Sequence, residues 1–261
     1  MAGHPSKCSL HTLNALYMIF ALALVAGAIW FFVEVTEFTN LRNSNHYLLD
    51  YNVYWPQATP WIFIVVGVMA VCVSCCGFSG VRKEKKGLLT VYNVFQGITI
   101  ILLIAAAIIA LVFADSKATD DFINDTVWDA YFQSKSEKNV EAAFSIIERR
   151  LHCCGSESPR DYKNWKNEFP PSCCDTYYHG WIGQYVLDCD FTNKLANERH
   201  GCVQVATQYS RIFIKVLSAV SIFTALLGSV ALVLCALYTK ALRPKPRVIN
   251  RVETESNKGL L

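Results

Sequence analysis

Six of the 11 cysteines fall in the 50 residues from Cys153 to Cys202, as Cys153-Cys154-Gly155, Cys173-Cys174, Cys189 and Gly201-Cys202. Thiols at that density hold either a metal or one another. His152, His179 and His200 stand near them and invite a zinc reading. Paired cysteines in an exported segment point instead to disulfides, so no metal is expected. Sequence neighbours have Cα atoms about 3.8 Å apart, below the usual disulfide span, which excludes Cys153 with Cys154 and Cys173 with Cys174. Ten of the 15 full pairings of six cysteines avoid both, and geometry narrows them no further. No Gly-rich phosphate loop, G-x-S-x-G elbow or two-histidine metal helix occurs, and Glu148 and Asp161 read as solvated charges. Catalysis is not expected.

Four uncharged apolar runs flank or precede this segment: Leu13 to Val33, Trp61 to Phe78, Leu88 to Phe113 and Val216 to Tyr238. The shortest has 18 residues, and at about 1.5 Å per residue it spans roughly 27 Å, close to a hydrocarbon core of about 30 Å. The first run ends in bulky Trp30, Phe31 and Phe32 rather than a small-residue cleavage site, so it is read as a retained helix. Lys7, then Arg82, Lys83, Lys85 and Lys86, then Lys240, Arg243, Lys245, Arg247, Arg251 and Lys258 lie on one side, against Arg42 alone in the first loop. The positive-inside rule puts both termini in the cytosol and the cysteine-rich segment outside. A formal charge of +3 then serves topology and the inner leaflet, and nucleic acid is not an expected partner.

The expected organisation is a cytosolic terminus (1–12), a first span (13–33), a small extracellular loop (34–60), a second span (61–78), a cytosolic loop (79–87), a third span (88–113), a large extracellular loop (114–215), a fourth span (216–238) and a cytosolic tail (239–261). The fold class is an all-α membrane protein with a mainly helical, disulfide-bonded large loop. Val140, Phe144, Ile147 and Leu151 recur at helical spacing, which predicts an amphipathic helix continuing from the third span, with Gly155 suited to its carboxyl-terminal cap. A second helix is expected from Cys202 into the fourth span. The insertion between them, Ser156 to Gly201, is broken by prolines and glycines and needs cross-links to hold it.

At these residues the chain resembles the tetraspanin family. The resemblance covers nearly the whole length: four spans, a small then a large external loop, Cys153-Cys154-Gly155, Pro170-x-Ser172-Cys173, Gly201-Cys202, and Cys75-Cys76-Gly77 before a charged turn and Leu88-Leu89. Six loop cysteines resemble the three-disulfide branch, which implies Cys153 with Cys202, Cys154 with Cys173 and Cys174 with Cys189. Span four carries no Glu or Gln where the family often has one, and Ala21 and Ala28 stand at seven-residue steps where it often has Gly.

Small residues Gly67, Ala70, Ser74 and Gly77 on span two and Asn14, Ala21 and Ala28 on span one mark close-packing faces, between the spans or between two copies. Asn14, Asn93 and Gln96 are the intramembrane polar residues and read as local interhelical hydrogen bonding. Cys8, Cys75, Cys76 and Cys235 cluster at cytosolic span ends as candidate S-palmitoylation sites, while Cys72, one turn deeper, reads as a buried small hydrophobe. Asn124 heads an external Asn-x-Thr sequon and offers a glycosylation acceptor. Tyr177, Tyr178, Trp181 and Tyr185, between Cys174 and Cys189, are the candidate partner-binding aromatics, most other loop aromatics being assigned to packing.

Together these features point to a non-enzymatic organiser that binds other integral membrane proteins laterally, including adhesion or signalling receptors and other tetraspanins, at the plasma membrane or in endosomal and lysosomal membranes and extracellular vesicles. The resemblance implies that the spans can enclose a cavity for a sterol; no other cofactor is expected. A pore or junction-forming protein is the alternative, but the spans lack the ionisable residues a conducting path uses.

Overall fold

The computed structural model describes residues 7–41, 55–174, 176–178, 184–186 and 189–241, with 55–57, 176–178 and 184–186 described by backbone alone. The helices are α1 (Lys7–Thr39), α2 (Trp55–Lys83), α3 (Lys86–Ala114), α4 (Lys117–Ser134), α5 (Lys138–Leu151), α6 (Lys194–Glu198) and α7 (Cys202–Ala241). Between α5 and α6 lie two 3-10 turns, Pro159–Asn164 and Pro171–Cys173, and an antiparallel hairpin of β1 (Thr176–Tyr178) and β2 (Gln184–Val186).

Four of these helices, α1, α2, α3 and α7, are long and apolar enough to cross a membrane. Their outward residues suit lipid: Ile101 and Val112 are about two-thirds exposed, and Trp30 and Leu226 are similarly open. Water would penalise that surface and lipid does not, so the bundle is held by close packing. Small residues provide it. A Cβ on Gly67 would come 2.6 Å from the Val25 side chain, and one on Gly77 would come 2.7 Å from the Tyr92 ring. Ala21, Ala28, Ala70 and Ser74 are fully buried, so the small-residue faces of spans one and two pack on each other within one chain.

The helix after the third span is not continuous. At Asp115 the chain leaves α3, and Ser116 caps a new helix, its hydroxyl oxygen accepting from the Thr119 N–H. A short turn then separates α4 from α5, the helix that carries Val140, Phe144, Ile147 and Leu151. Serine competes with helical backbone bonding and favours the cap position, which the apolar period alone does not reveal. The cap of α5 differs too. His152, not Gly155, takes the left-handed position with φ 52°, and Gly155 at φ 70° serves the next turn. By contrast α7 runs unbroken for 40 residues from Cys202 through the fourth span.

A second core lies in the large loop. Phe122, Val127 and Tyr131 of α4 and Phe144 of α5 pack with Tyr162, Phe169, Ala196 and Ala206 around the cysteines. Ion pairs tie this unit to the bundle, from Arg150 to Glu34 and Glu37, Arg211 to Asp120 and Lys215 to Asp115.

Candidate functional site

The six loop cysteines form Cys153–Cys202, Cys154–Cys173 and Cys174–Cys189, with Cα separations of 4.9, 5.2 and 5.9 Å. The first joins the end of α5 to the start of α7, the second fastens the insertion to the end of α5, and the third closes the hairpin. Backbone contacts explain why glycine accompanies the cysteines. The Cys154 N–H donates to His200 O, Cys202 N–H to Gly155 O and Val203 N–H to Ser156 O, all near 3 Å. Segments 154–157 and 200–203 therefore run against each other, and a Cβ on Gly201 would lie 2.1 Å from Glu157 O. Gly155 is constrained twice, by its left-handed φ and by Ser158 O, which would be 2.3 Å from its Cβ. Cys-Cys-Gly and Gly-Cys are thus two halves of one knot.

Two carboxylates hold that knot, and neither is a solvated charge. Asp161 accepts from the N–H groups of Ser156, Glu157 and Ser158 within 3.2 Å. Glu148 is 1% exposed. Its carboxylate accepts from the Gly155 N–H at 2.9 Å and the Tyr162 hydroxyl at 2.8 Å, and from the Ser172 hydroxyl. Burial pushes the Glu148 carboxyl above its usual value, opposed by these hydrogen bonds and by nearby Lys166. Polar residues on an apolar helix face are the one sequence signal: Glu148 falls four residues after Phe144, on the buried face. Glu148, Cys154 and Cys173 lie close enough to suggest a metal cluster. The two sulfurs are bonded to each other, so they cannot serve as thiolate ligands.

Aromatics fill the interior around Glu148. Tyr131 donates its hydroxyl to Asp161 O at 2.7 Å and accepts from Trp165 Nε1 at 2.9 Å. Tyr162 and Phe169 are buried and Phe191 packs edge-on against Phe169, so these rings build the unit. Tyr177 pairs with Tyr185, and Tyr178 with Gln184, across two short strands. Trp181, His179 and the small-loop residues 42–54 lie outside the described residues.

Inside the membrane, Asn14 Nδ2 donates to Ser74 O at 2.8 Å and Ser74 Oγ to Asn14 O at 3.1 Å, while the Tyr92 hydroxyl donates to Asn14 Oδ1. Gln96 is fully buried, and a Cβ on Gly228 of α7 would come 2.5 Å from its Nε2. A span without Glu or Gln of its own thus receives the side chain of its neighbour at a glycine. Asn93 is half-buried on the same helix.

Among the inner cysteines, Cys8, Cys75 and Cys76 are exposed and Cys235 is fully buried. Cys72 is exposed, which corrects the reading of it as a buried hydrophobe. The difference follows from helical spacing, since Cys72, Cys75 and Cys76 share the lipid-facing stripe of α2 while Val73 and Ser74 face inward. Asn124 is half-buried on α4, and the hydroxyl of its sequon partner Thr126 is buried, donating to Phe122 O at 2.7 Å.

The comparisons agree with this architecture. The family description "Tetraspanin family" matches residues 6–241. The chain is similar to the CD151 antigen of Mus musculus, 27% identical over 244 residues, covering 89% of this chain and 90% of that one. It is 34% identical over 168 residues to the 23 kDa integral membrane protein of Schistosoma japonicum, covering 64% and 69%. With the CD63 antigen of Homo sapiens it shares 28% over 195 residues, covering 70% and 75%.

Proposed function

Since this chain is a member of the tetraspanin family and a multi-pass protein of the plasma membrane, we propose that it is a non-enzymatic organiser that binds partner membrane proteins and gathers them into lateral assemblies. The observation that carries this reading is the cross-linked external unit. One disulfide joins the end of α5 to the start of α7, a second ties the short insertion to the end of α5, and the third closes the Tyr177–Tyr185 hairpin between Cys174 and Cys189. A segment fixed in this way loses little further entropy on docking, which favours recognition by a small number of aromatic anchors. Adhesion or signalling receptors and other tetraspanins are the partners this fits. Exposed Cys8, Cys75 and Cys76 serve as acylation sites, Asn124 as the glycosylation acceptor, and a sterol as the lipid within the bundle. Endosomal and lysosomal membranes and released vesicles are further locations.

Crosslinking mass spectrometry of the full chain in native membranes tests the reading. Reproducible crosslinks from the large loop to other integral membrane proteins are expected. A chain that is delivered to the surface yet crosslinks to no membrane protein overturns it.

A further inference from the structure

We propose that the groove between α5 and the insertion binds an extended acidic segment of a partner's ectodomain; this rests on the partner-binding reading above and gives the partner its chemistry. The groove encloses about 290 Å³. One wall is the α5 face carrying Lys138, Glu141, Ser145 and Arg149. Its other wall is Tyr162, Trp165 and Lys166 with the Pro170-Pro171 step. It lies on nearly the opposite side of α5 from the cavity bounded by Ile146, Arg150 and the outer end of α1, so it faces away from the first span.

Charge selects the occupant. Lys138 and Arg149 are exposed and make no ion pair or hydrogen bond among the described residues. They are three helical turns apart on one face, about 16 Å along the axis, so they stand at opposite ends of the groove. Lys166, 21% exposed, lies between them over the Tyr162 and Trp165 rings with its charge balanced by Glu141, which leaves the two end cations as the free ones. The acidic groups do not cancel this. Glu141 is paired with Lys166, and Glu148 is turned inward onto Gly155, Tyr162 and Ser172. An extended chain advances about 3.3 Å per residue, so carboxylates five residues apart meet both end cations at once. Prolines and aromatic edges between them suit extended backbone, which needs no helix or sheet partner of its own.

The test places a photo-crosslinking residue at Ser145 in the full chain in native membranes and maps the crosslinked partner segment, with the double variant K138E/R149E as the companion. The expected result is an adduct on a partner segment with acidic residues about five apart. Its yield should fall at least tenfold in K138E/R149E and fall steeply with salt, while the three disulfides and surface delivery are kept. Adducts to a segment without acidic residues, adducts to glycan, or a yield that K138E/R149E leaves unchanged would each overturn the proposal while partner binding through other surfaces stands. A chain that crosslinks to no membrane protein from any position overturns both readings.

Discussion

The carboxylate of Glu148 accepts the hydroxyl of Tyr162 at 2.8 Å, across the core of the external unit and beside the Cys154–Cys173 disulfide. The residue belongs to α5 and its partner to the insertion, so this bond, with those from Gly155 and Ser172, fastens the insertion to the helix independently of the sulfurs. Removing the carboxyl in Glu148→Ala strands three donors in a dry interior, each costing about 1–3 kcal/mol when unsatisfied. Surface delivery should be lost or strongly reduced, as measured by flow cytometry on intact cells. Glu148→Gln keeps two acceptor positions and should be much milder.

The same carboxyl sets a pH dependence. Burial raises its pKa above the ordinary 4.5, so at pH values between the unfolded and the folded value the folded loop holds a proton that the unfolded chain has released. Its contribution to stability is therefore full below about 4.5 and is lost as pH rises through the raised folded value. Thermal unfolding of the detergent-purified chain should show the difference in melting temperature between the native protein and Glu148→Gln changing with pH above 4.5, in favour of the native protein toward acid. A difference that stays flat from pH 4.5 to 7 would show that the carboxyl does not titrate in that window.

Cross-links of unequal reach should fail unequally. Cys153–Cys202 separates residues by 49 positions and Cys174–Cys189 by 15. In the chain-entropy model these correspond to about 4 and about 3 kcal/mol. The larger loss also unties α5 from α7, so Cys202→Ser should abolish surface delivery where Cys189→Ser reduces it. Gly201→Ala should match Cys202→Ser, because its methyl group would meet Glu157 O at 2.1 Å.

Exposure divides the inner cysteines. Replacing Cys8, Cys75 and Cys76 by Ser should remove thioester-linked acyl label, whereas Cys235→Ser alone should leave it, that thiol being fully buried. Residual label in the triple variant would fall on Cys72, exposed on the same stripe of α2. Label that drops with Cys235→Ser would mean that α7 opens for the acylating enzyme.

Much of this architecture was legible because it rests on signals with a single physical meaning. Long apolar runs have few fates besides a membrane, and adjacent cysteines outside the cytosol have few besides disulfides. The break at Ser116 was not legible, since Val140, Phe144, Ile147 and Leu151 give the face of α5 but not whether it continues α3. Glu148 was hidden for a different reason. A carboxylate reads as surface until its donors are known, and those come from Gly155, Tyr162 and Ser172, which only the folded insertion brings together. The exposure of Cys72 follows from the small-residue face of α2 itself: Gly67, Ala70, Ser74 and Gly77 pack inward, and helical spacing places Cys72 on the opposite side.

Specificity should lie in the segment between Cys174 and Cys189. The Tyr177–Tyr185 register pair sits at the centre of a hairpin whose ends are joined by a disulfide. An exposed aromatic on such a segment can supply about 2 kcal/mol or more to a complex, and the cross-link limits the entropy lost on docking. The exchange of residues 175–188 for the corresponding loop of another six-cysteine tetraspanin leaves all three disulfides and the Glu148 cluster in place. The swapped chain should reach the surface and crosslink to a changed set of membrane proteins. An unchanged set from a correctly delivered swap would move recognition to α4, α5 or the spans, and the α5 groove with Lys138 and Arg149 at its ends would be the next surface to vary.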